Sequence, residues 1–231
     1  MINAFIIYQP ENEKSVQAVK MLEYSINGYH CDIDCTRFEA TTPKTLHTHV
    51  NDNFPTLKYT YPKQGETQLH EATGLKLTGY HAADIAKKFA CTVSHARLWK
   101  KCVELNEDIM ILEHDAFFTQ KYIDFEWEGG ILGLNDPRGA TRNSHIFHYK
   151  ASAKPGIVDC PYVDEKSVPQ GLAGNSAYII RPFAAKFLIS KLEEYGAWPN
   201  DALMCNQICP WLKVVYPYFS TVQGNISTTT T

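Results

Sequence analysis

Apolar residues in this sequence arrive as short runs separated by stretches with near-helical spacing. Ala4 to Tyr8 (AFIIY) is a compact apolar run closed by Pro10, and Ser15 to Gly28 carries Val16, Val19, Met21, Leu22 and Ile26 at roughly helical intervals. The spacing predicts a strand and then a helix that Ser15 caps and Asn27-Gly28 ends. Asp32 to Ala40 alternates well enough for a second strand, and a βαβ opening argues for an α/β fold with a mainly parallel sheet flanked by helices. Thr41 to Thr78 loses this period. It is polar, rich in His and broken by Gly and Pro, and reads as a variable surface insertion over 41–78 with one short helix near PKTLHTHVND.

Helical spacing returns in Phe89 to Leu105, where Val93, Ala96, Trp99 and Val103 mark one face, and leads into the apolar run Ile109 to Leu112. Further strands are expected at Ile131 to Leu134, at His145 to Tyr149, at the end of Gly171 to Ile180 and at Trp211 to Tyr218. A helix after Arg181 has Pro182 in its first turn and Gly196 at its end. With no repeats and no shift in composition, residues 1–224 are expected to form one domain, followed by a frayed tail over 225–231.

Composition narrows the class. Hydrophobic residues make up 44% and charged residues 20% of 231 positions, which suits a folded globular chain and excludes a disordered one. A net charge of -3 provides no overall basic field for nucleic acid or an anionic membrane, and leaves room only for a local patch. The first residues lack the basic start and small-residue cleavage site of a signal peptide, and no run approaches the roughly 20 apolar residues of a transmembrane segment. A cytoplasmic location is expected. Seven cysteines, an odd number, fit reduced core thiols there, and Asn225-Ile226-Ser227 is then an idle glycosylation sequon. Cys31/Cys35 and Cys205/Cys209 each bracket three residues without the turn chemistry of a zinc knuckle, so they read as structural.

The candidate chemistry lies in EDIMILEHDAFF, Glu107 to Phe118. An apolar strand runs to its end and stops on Glu113, His114 and Asp115. Alternate residues of an extended segment face the same way, so Glu113 and Asp115 are placed to converge on one cation, with His114 turned away. In open α/β sheets ligands sit outside the carboxyl ends of the strands, and two carboxylates there suit Mg²⁺ or Mn²⁺ with positions left for phosphate oxygens. The alternative is that both acids solvate the strand end or pair with lysines. The pairs His47/His49 and His145/His148 come without a carboxylate partner and read as ordinary surface or core histidines.

Several blocks resemble glycosyltransferase family 25, the lipopolysaccharide and procollagen galactosyltransferase type. ACTVSHARLWKKCVE followed by DIMILEHDAFF is similar to that family's G-C-x-x-S-H helix and its apolar strand ending in E-D-D. INAFIIYQPENEKSVQAV resembles its opening strand and helix, FEATTP its F-x-A-x-x-G boundary, GNSAYIIRPFAAKFL its A-Y-L-I segment, WPNDALM a P-x-D-x-x-M stretch and VYPYFSTVQGNIS its closing pattern. Order and rough spacing hold over most of the chain. Ala90 stands where the family prefers Gly, YQP replaces an opening rich in Asn and Arg, and His114 replaces the middle acid of the triplet.

The resemblance implies a GT-A type fold, a nucleotide-sugar donor and inverting transfer to a hydroxyl. It implies Mn²⁺ or Mg²⁺ at Asp115 assisted by Glu113, and it offers Asp201 as the base, a position that a first-turn helix acid would fill equally well. It places Ser94 and His95 in or beside the active site, early in their helix and near its backbone N–H groups, with His95 as a catalytic residue and Ser94 as a substrate contact; a purely structural role for Ser94 fits as well. Arg138 and Arg142 are loop cations suited to phosphate or simply to water. Tyr8 and Gln9, ending the first strand, are placed to cradle the donor base or to pack, and Asn175 and Ser176 to meet a sugar hydroxyl. The acceptor is expected to be a glycan or lipopolysaccharide, with another hydroxyl-bearing polymer, a hydroxymethylated base in DNA included, as the alternative. A silent nucleotide-binding or sugar-binding module of the same fold is the rival outside enzymes, and a metal-dependent phosphohydrolase is the rival within them.

Overall fold

The computed structural model describes residues 1–79, 84–140 and 143–224. Its centre is a seven-stranded sheet in the order β2-β1-β5-β9-β7-β10-β8, with β1 at Ile2–Tyr8, β2 at Ile33–Glu39, β5 at Ile109–Glu113, β7 at Ile131–Gly133, β8 at Gly156–Asp159, β9 at Ala177–Ile180 and β10 at Leu212–Tyr216. β1 pairs in parallel with β2 and β5, and β10 with β7; β9 runs antiparallel to both β5 and β7, and β8 antiparallel to β10. Five of the seven strands therefore point one way, which is the mainly parallel α/β sheet expected.

β5 explains why the sheet needs two helical layers. Ile109, Met110, Ile111 and Leu112 are all fully buried. Ile109 and Ile111 pack with Phe5 and Ile7 into a core that also takes Trp99 and Leu98 from α3 (Ile85–Leu105) and Leu188 and Leu192 from α5 (Pro182–Tyr195). Met110 and Leu112 pack with Ala4 and Ile6 into a second core, with Val19, Leu22 and Ile26 of α1 (Glu13–Gly28) and Phe118 of β6 (Ala116–Phe118). An unbroken apolar run is what a strand covered on both faces requires, each such side chain contributing about 1.5–3 kcal/mol.

Several expectations change. Asn12, rather than Ser15, caps α1, its side chain accepting from the Lys14 and Ser15 amides at 3.0 and 3.3 Å; Ser15 Oγ instead accepts from the Gln9 amide at 2.9 Å and ties the helix to the end of β1. The segment 41–78 holds the expected short helix, α2 at Leu46–Asn53, and also a hairpin of β3 (Thr67–His70) and β4 (Leu75–Thr78), whose Leu75 and Leu77 are buried in the main core. His145 to Tyr149 does not extend the sheet: Ser144–Ala151 is helix α4, and its buried residues Ser144, Phe147 and Ala151 follow the helical period, not a period of two. α3 begins at Ile85 with Asp84 as cap, four residues earlier than expected, accepting from the Ala86 amide at 2.8 Å. Among the described residues no helix is long and apolar enough to cross a membrane. The tail 225–231 lies outside the described residues.

Two small elements finish the frame around the end of β5. β11 (Ser220–Val222) pairs antiparallel with β6, and just beyond it Gln223 Nε2 donates to the carbonyls of Ala18 and Ala116 at 3.0 and 2.8 Å. α6 (Asn200–Leu203) is held close to the loop before β9, where Gly171 pairs with Cys205. A Cβ at Gly171 would stand 2.2 Å from the Met204 carbonyl oxygen and 2.8 Å from that of Asp201, so the approach excludes any side chain. Gly171→Ala is expected to lower stability by about 1–3 kcal/mol, read as a fall in the urea midpoint without a change in slope; an unchanged midpoint would contradict this packing.

Candidate active site

The carboxyl ends of β1 and β5 open into a cleft of about 680 Å³. β1 brings Ile7, Tyr8 and Gln9 to it, the start of α1 brings Asn12, Glu13 and Lys14, α3 brings Lys87, Ala90, Cys91, Ser94 and His95, and β5 ends there in Glu113 and His114. The two parallel strands therefore place their carboxyl ends where ligands of open α/β sheets bind.

A hydrogen-bonded chain crosses the floor. Trp99 Nε1 donates to the Tyr178 hydroxyl oxygen at 3.0 Å, that hydroxyl lies 2.8 Å from His95 Nδ1, and His95 Nε2 lies 3.2 Å from Glu113 Oε1. An ionised Glu113 carboxylate can only accept, so the ring hydrogen sits on Nε2; Nδ1 then accepts from the Tyr178 hydroxyl, which itself accepts from Trp99. Burial and the neighbouring Glu113 charge keep Tyr178 protonated, pushing its hydroxyl well above the usual phenol range. Three fully buried side chains of α3 and β9 thus set the orientation of one half-exposed acid at the mouth of β5.

Asp115 stands beside it in a less comfortable state. β5 ends at Glu113, and residues 114–115 form the turn into β6, so a turn, not strand alternation, brings the pair together. Burial and the Glu113 charge push the Asp115 carboxyl up to about 7, although its own backbone N–H opposes this. Its Oδ1 is buried without a hydrogen-bond partner, as are Ser176 Oγ and Asn200 Nδ2. Two crowded carboxylates, one with an orphaned oxygen, have the donor chemistry of a divalent-cation site, so Glu113 and Asp115 fit Mn²⁺ or Mg²⁺.

The other predicted residues divide into those at the cleft and those away from it. Tyr8, Gln9, Ser94 and His95 line it. Ser94 and His95 lie in the interior of α3, so the expected contact with its N-terminal N–H groups is corrected: the helix starts too early for it. Ser94 Oγ donates to the Ala90 carbonyl at 2.9 Å and accepts from the Thr41 amide at 2.8 Å, stapling α3 to the segment after β2. Ser176 adjoins Glu113, whose amide donates to the Ser176 carbonyl at 2.7 Å, and Asn175 is buried next to it. Asp201 lies in the first turn of α6, where Oδ1 accepts from the Ala202 amide at 2.9 Å. Its charge reaches Cys91, on the cleft floor, together with those of Glu113 and Asp115. Arg138 is exposed and folded back on Asp136, donating from Nε at 3.0 Å, and does not line the cleft. Arg142 lies outside the described residues.

The sequence reading missed Lys14, Lys87 and Cys91. Cys91 and His95 are four apart, one face of a helix, and that spacing was the available signal for the cysteine. The lysines carried none, because their position depends on where α1 and α3 begin.

A search of curated proteins finds no match to this chain. Among solved structures, the galactosyltransferase LgtC bound to donor and acceptor sugar analogs is similar at a TM-score of 0.43 and 7% identity, over 92% of this chain and 73% of that one. Mouse xyloside xylosyltransferase 1 in its apo form is similar at 0.41 and 10% identity, over 91% and 83%. The sequence profile of glycosyltransferase family 25 (LPS biosynthesis protein) matches residues 20–204. That span takes in α3, the acidic end of β5, β9 and Asp201, and the chain belongs to glycosyltransferase family 25.

Proposed function

We propose that this glycosyltransferase moves a sugar from a nucleotide-diphosphate donor to a hydroxyl of a glycan, with inversion, using Mn²⁺ or Mg²⁺ held by Glu113 and Asp115. The observation that carries the metal dependence is Asp115 itself: a carboxylate oxygen buried without a partner, beside a second acid that disfavours its charge. A dication would relieve that conflict while keeping both acids charged, and the donor diphosphate would bring further oxygens to share it. When bound, such an ion offsets the negative charge that grows on the departing diphosphate.

The remaining work falls to the chain. Lys14 and Lys87 line the cleft and supply positive charge for phosphate oxygens. Tyr8 and Gln9, at the end of β1, offer a flat ring and an amide for the base. Asn175 and Ser176, the latter with an unpartnered hydroxyl, are set to hold the donor sugar. Asp201 accepts the acceptor's hydroxyl proton as its oxygen attacks the anomeric carbon; the bond to the diphosphate breaks and its electron pair leaves with the phosphate. His95 acts on the reaction through Glu113, as a positioning residue. The unit is residues 1–224 together, since β1, α3, β5, β9 and α6 all contribute.

A glycan acceptor is favoured over DNA by charge. Lys14 and Lys87 share the cleft with Glu11, Glu13 and Glu113, so among the described residues it lacks the basic stripe that a DNA acceptor needs.

Three outcomes test this reading. Nucleoside diphosphate release from a panel of nucleotide sugars should require Mn²⁺ or Mg²⁺, stop with EDTA, and fall about 10²–10³-fold in Asp115→Asn; release indifferent to both would remove the mechanism. Asp201→Asn should cut kcat for transfer about 10²–10⁴-fold while donor KM stays close to wild type. If both parameters hold, Asp201 is only a helix acid. Tyr178→Phe leaves Trp99 Nε1 buried without an acceptor and should cost about 1–3 kcal/mol of stability. It should also raise the Mn²⁺ concentration for half-maximal activity about 10–100-fold, an effect that a purely structural tyrosine would not produce.

A further inference from the structure

Cys91 and His95 stand one turn apart on the face of α3 that meets the end of β5. The Cys91 sulfur, a His95 ring nitrogen and a Glu113 carboxylate oxygen all lie within 4.8 Å of one another. Among the described residues this is the one such three-ligand group of His, Cys and acid. A thiol, an imidazole and a carboxylate do not make the donor set of a hard cation. They match the sites that hold zinc through three protein ligands and leave a fourth position open.

We propose that Cys91, His95 and Glu113 form a second cation site, selective for Zn²⁺ and similar borderline-soft ions, and that its occupation inhibits the enzyme by withdrawing Glu113 from the pair it makes with Asp115. The inhibition rests on the reading of Glu113 and Asp115 above; the site itself does not.

The spacing supports it. Tetrahedral zinc with bonds of about 2.3 Å to sulfur and about 2.0–2.2 Å to nitrogen and oxygen sets its ligand atoms roughly 3.3–3.6 Å apart. His95 Nε2 and Glu113 Oε1 are already 3.2 Å apart. The thiol, at most 4.8 Å from either, has to close by about an ångström, which a side-chain rotation provides. His95 binds through Nε2, because Nδ1 is engaged by Tyr178 at 2.8 Å; its hydrogen moves to Nδ1, where the Tyr178 oxygen accepts it beside the Trp99 bond while the Tyr178 hydroxyl hydrogen turns away from Nδ1, giving the outer support typical of metal-bound histidines. The Cys91 thiol gives up its proton to solvent as the metal–sulfur bond forms.

Two further observations point to a ligand here. The Cys91 S–H has only a long donation, 3.8 Å, to Asn200 Oδ1, while the Nδ2 of that same amide, in a residue only 6% exposed, is buried without a partner. Burial first, and then the negative charges of Glu113, Asp201 and Asp115, hold the Cys91 thiol well above its usual range, so it keeps its proton until a dication displaces it. Since Cys91 lines the cleft, an ion can reach it.

The experiment uses the full chain, freed of metal, with Co²⁺ as a spectroscopic probe. One equivalent of Co²⁺ should produce a thiolate-to-cobalt charge-transfer band that Zn²⁺ displaces, that Cys91→Ser abolishes and that Asp115→Asn keeps. A cobalt complex without the band, or a band that survives in Cys91→Ser, overturns the proposal. As a check that needs no variant, Zn²⁺ should protect Cys91 of the wild-type chain from alkylation at least about tenfold while Cys31 and Cys35 react as before; equal labelling of Cys91 with and without Zn²⁺ also overturns it. Neither readout depends on transferase activity, so a failure of the Mn²⁺ mechanism would leave them interpretable. Where activity is measured, Zn²⁺ should inhibit the Mn²⁺-supported reaction of the wild type at least about tenfold more strongly than that of Cys91→Ser, each relative to its own uninhibited rate. Equal sensitivity would overturn the inhibitory role.

Discussion

Everything at the cleft depends on β5 being covered on both faces. A strand whose Ile109, Met110, Ile111 and Leu112 are each fully buried has no polar side available along its length. Its first polar side chain comes where the helical layers stop, and that side chain is Glu113. The alternation that sends Ile109 and Ile111 into the core shared with α3 also turns Glu113 toward α3, so His95 is the residue it meets. The same constraint that stabilises the sheet therefore places an acid against an imidazole, with no separate device needed to align them.

The chain from Trp99 through Tyr178 and His95 to Glu113 then converts packing into orientation. Trp99 and Tyr178 are among the largest fully buried side chains, and their polar atoms would be costly there without partners. Each is satisfied only by the next, and the Glu113 carboxylate, which can only accept, fixes which ring nitrogen of His95 carries the hydrogen. Next to this settled arrangement, Asp115, Ser176 and Asn200 keep polar atoms with no partner. The contrast separates the part of the site whose polar atoms folding satisfies from the part whose polar atoms it leaves unpaired.

The central strands were readable because β1, β5 and β9 are apolar nearly throughout, and β2 because it alternates; β8, half-exposed at the sheet edge, gave no such signal. α5 was readable because both its ends are marked. Glu113 and Asp115 drew notice because a strand that closes on acids departs from its own pattern. What escaped has a physical reason in each case. The β3–β4 hairpin is short, and only Leu75 and Leu77 of it face the core, too little alternation to detect against polar surroundings. The segment His145 to Tyr149 mixes aromatic and apolar residues, and only its tertiary contacts, through Phe147 and Ala151, choose helix. Ser94 and His95 were singled out from a motif and do line the cleft, but their place within α3 followed from a cap at Asp84 that lies outside the periodic stretch. Cys91 was overlooked because, although His95 follows it on the same helix, the third group, Glu113, comes from a different element.

The Gln223 bonds have a consequence for how the enzyme is made. The turn bearing Asp115 is braced by a side chain 109 residues downstream of His114, which reaches the carbonyls of Ala18 and Ala116, while the strand next to it, β11, zips onto β6. On a ribosome the acids would emerge long before their brace. Until synthesis reaches Gln223 and β11, a nascent chain would therefore carry the turn of residues 114–115 without the bonds that hold it in the finished fold.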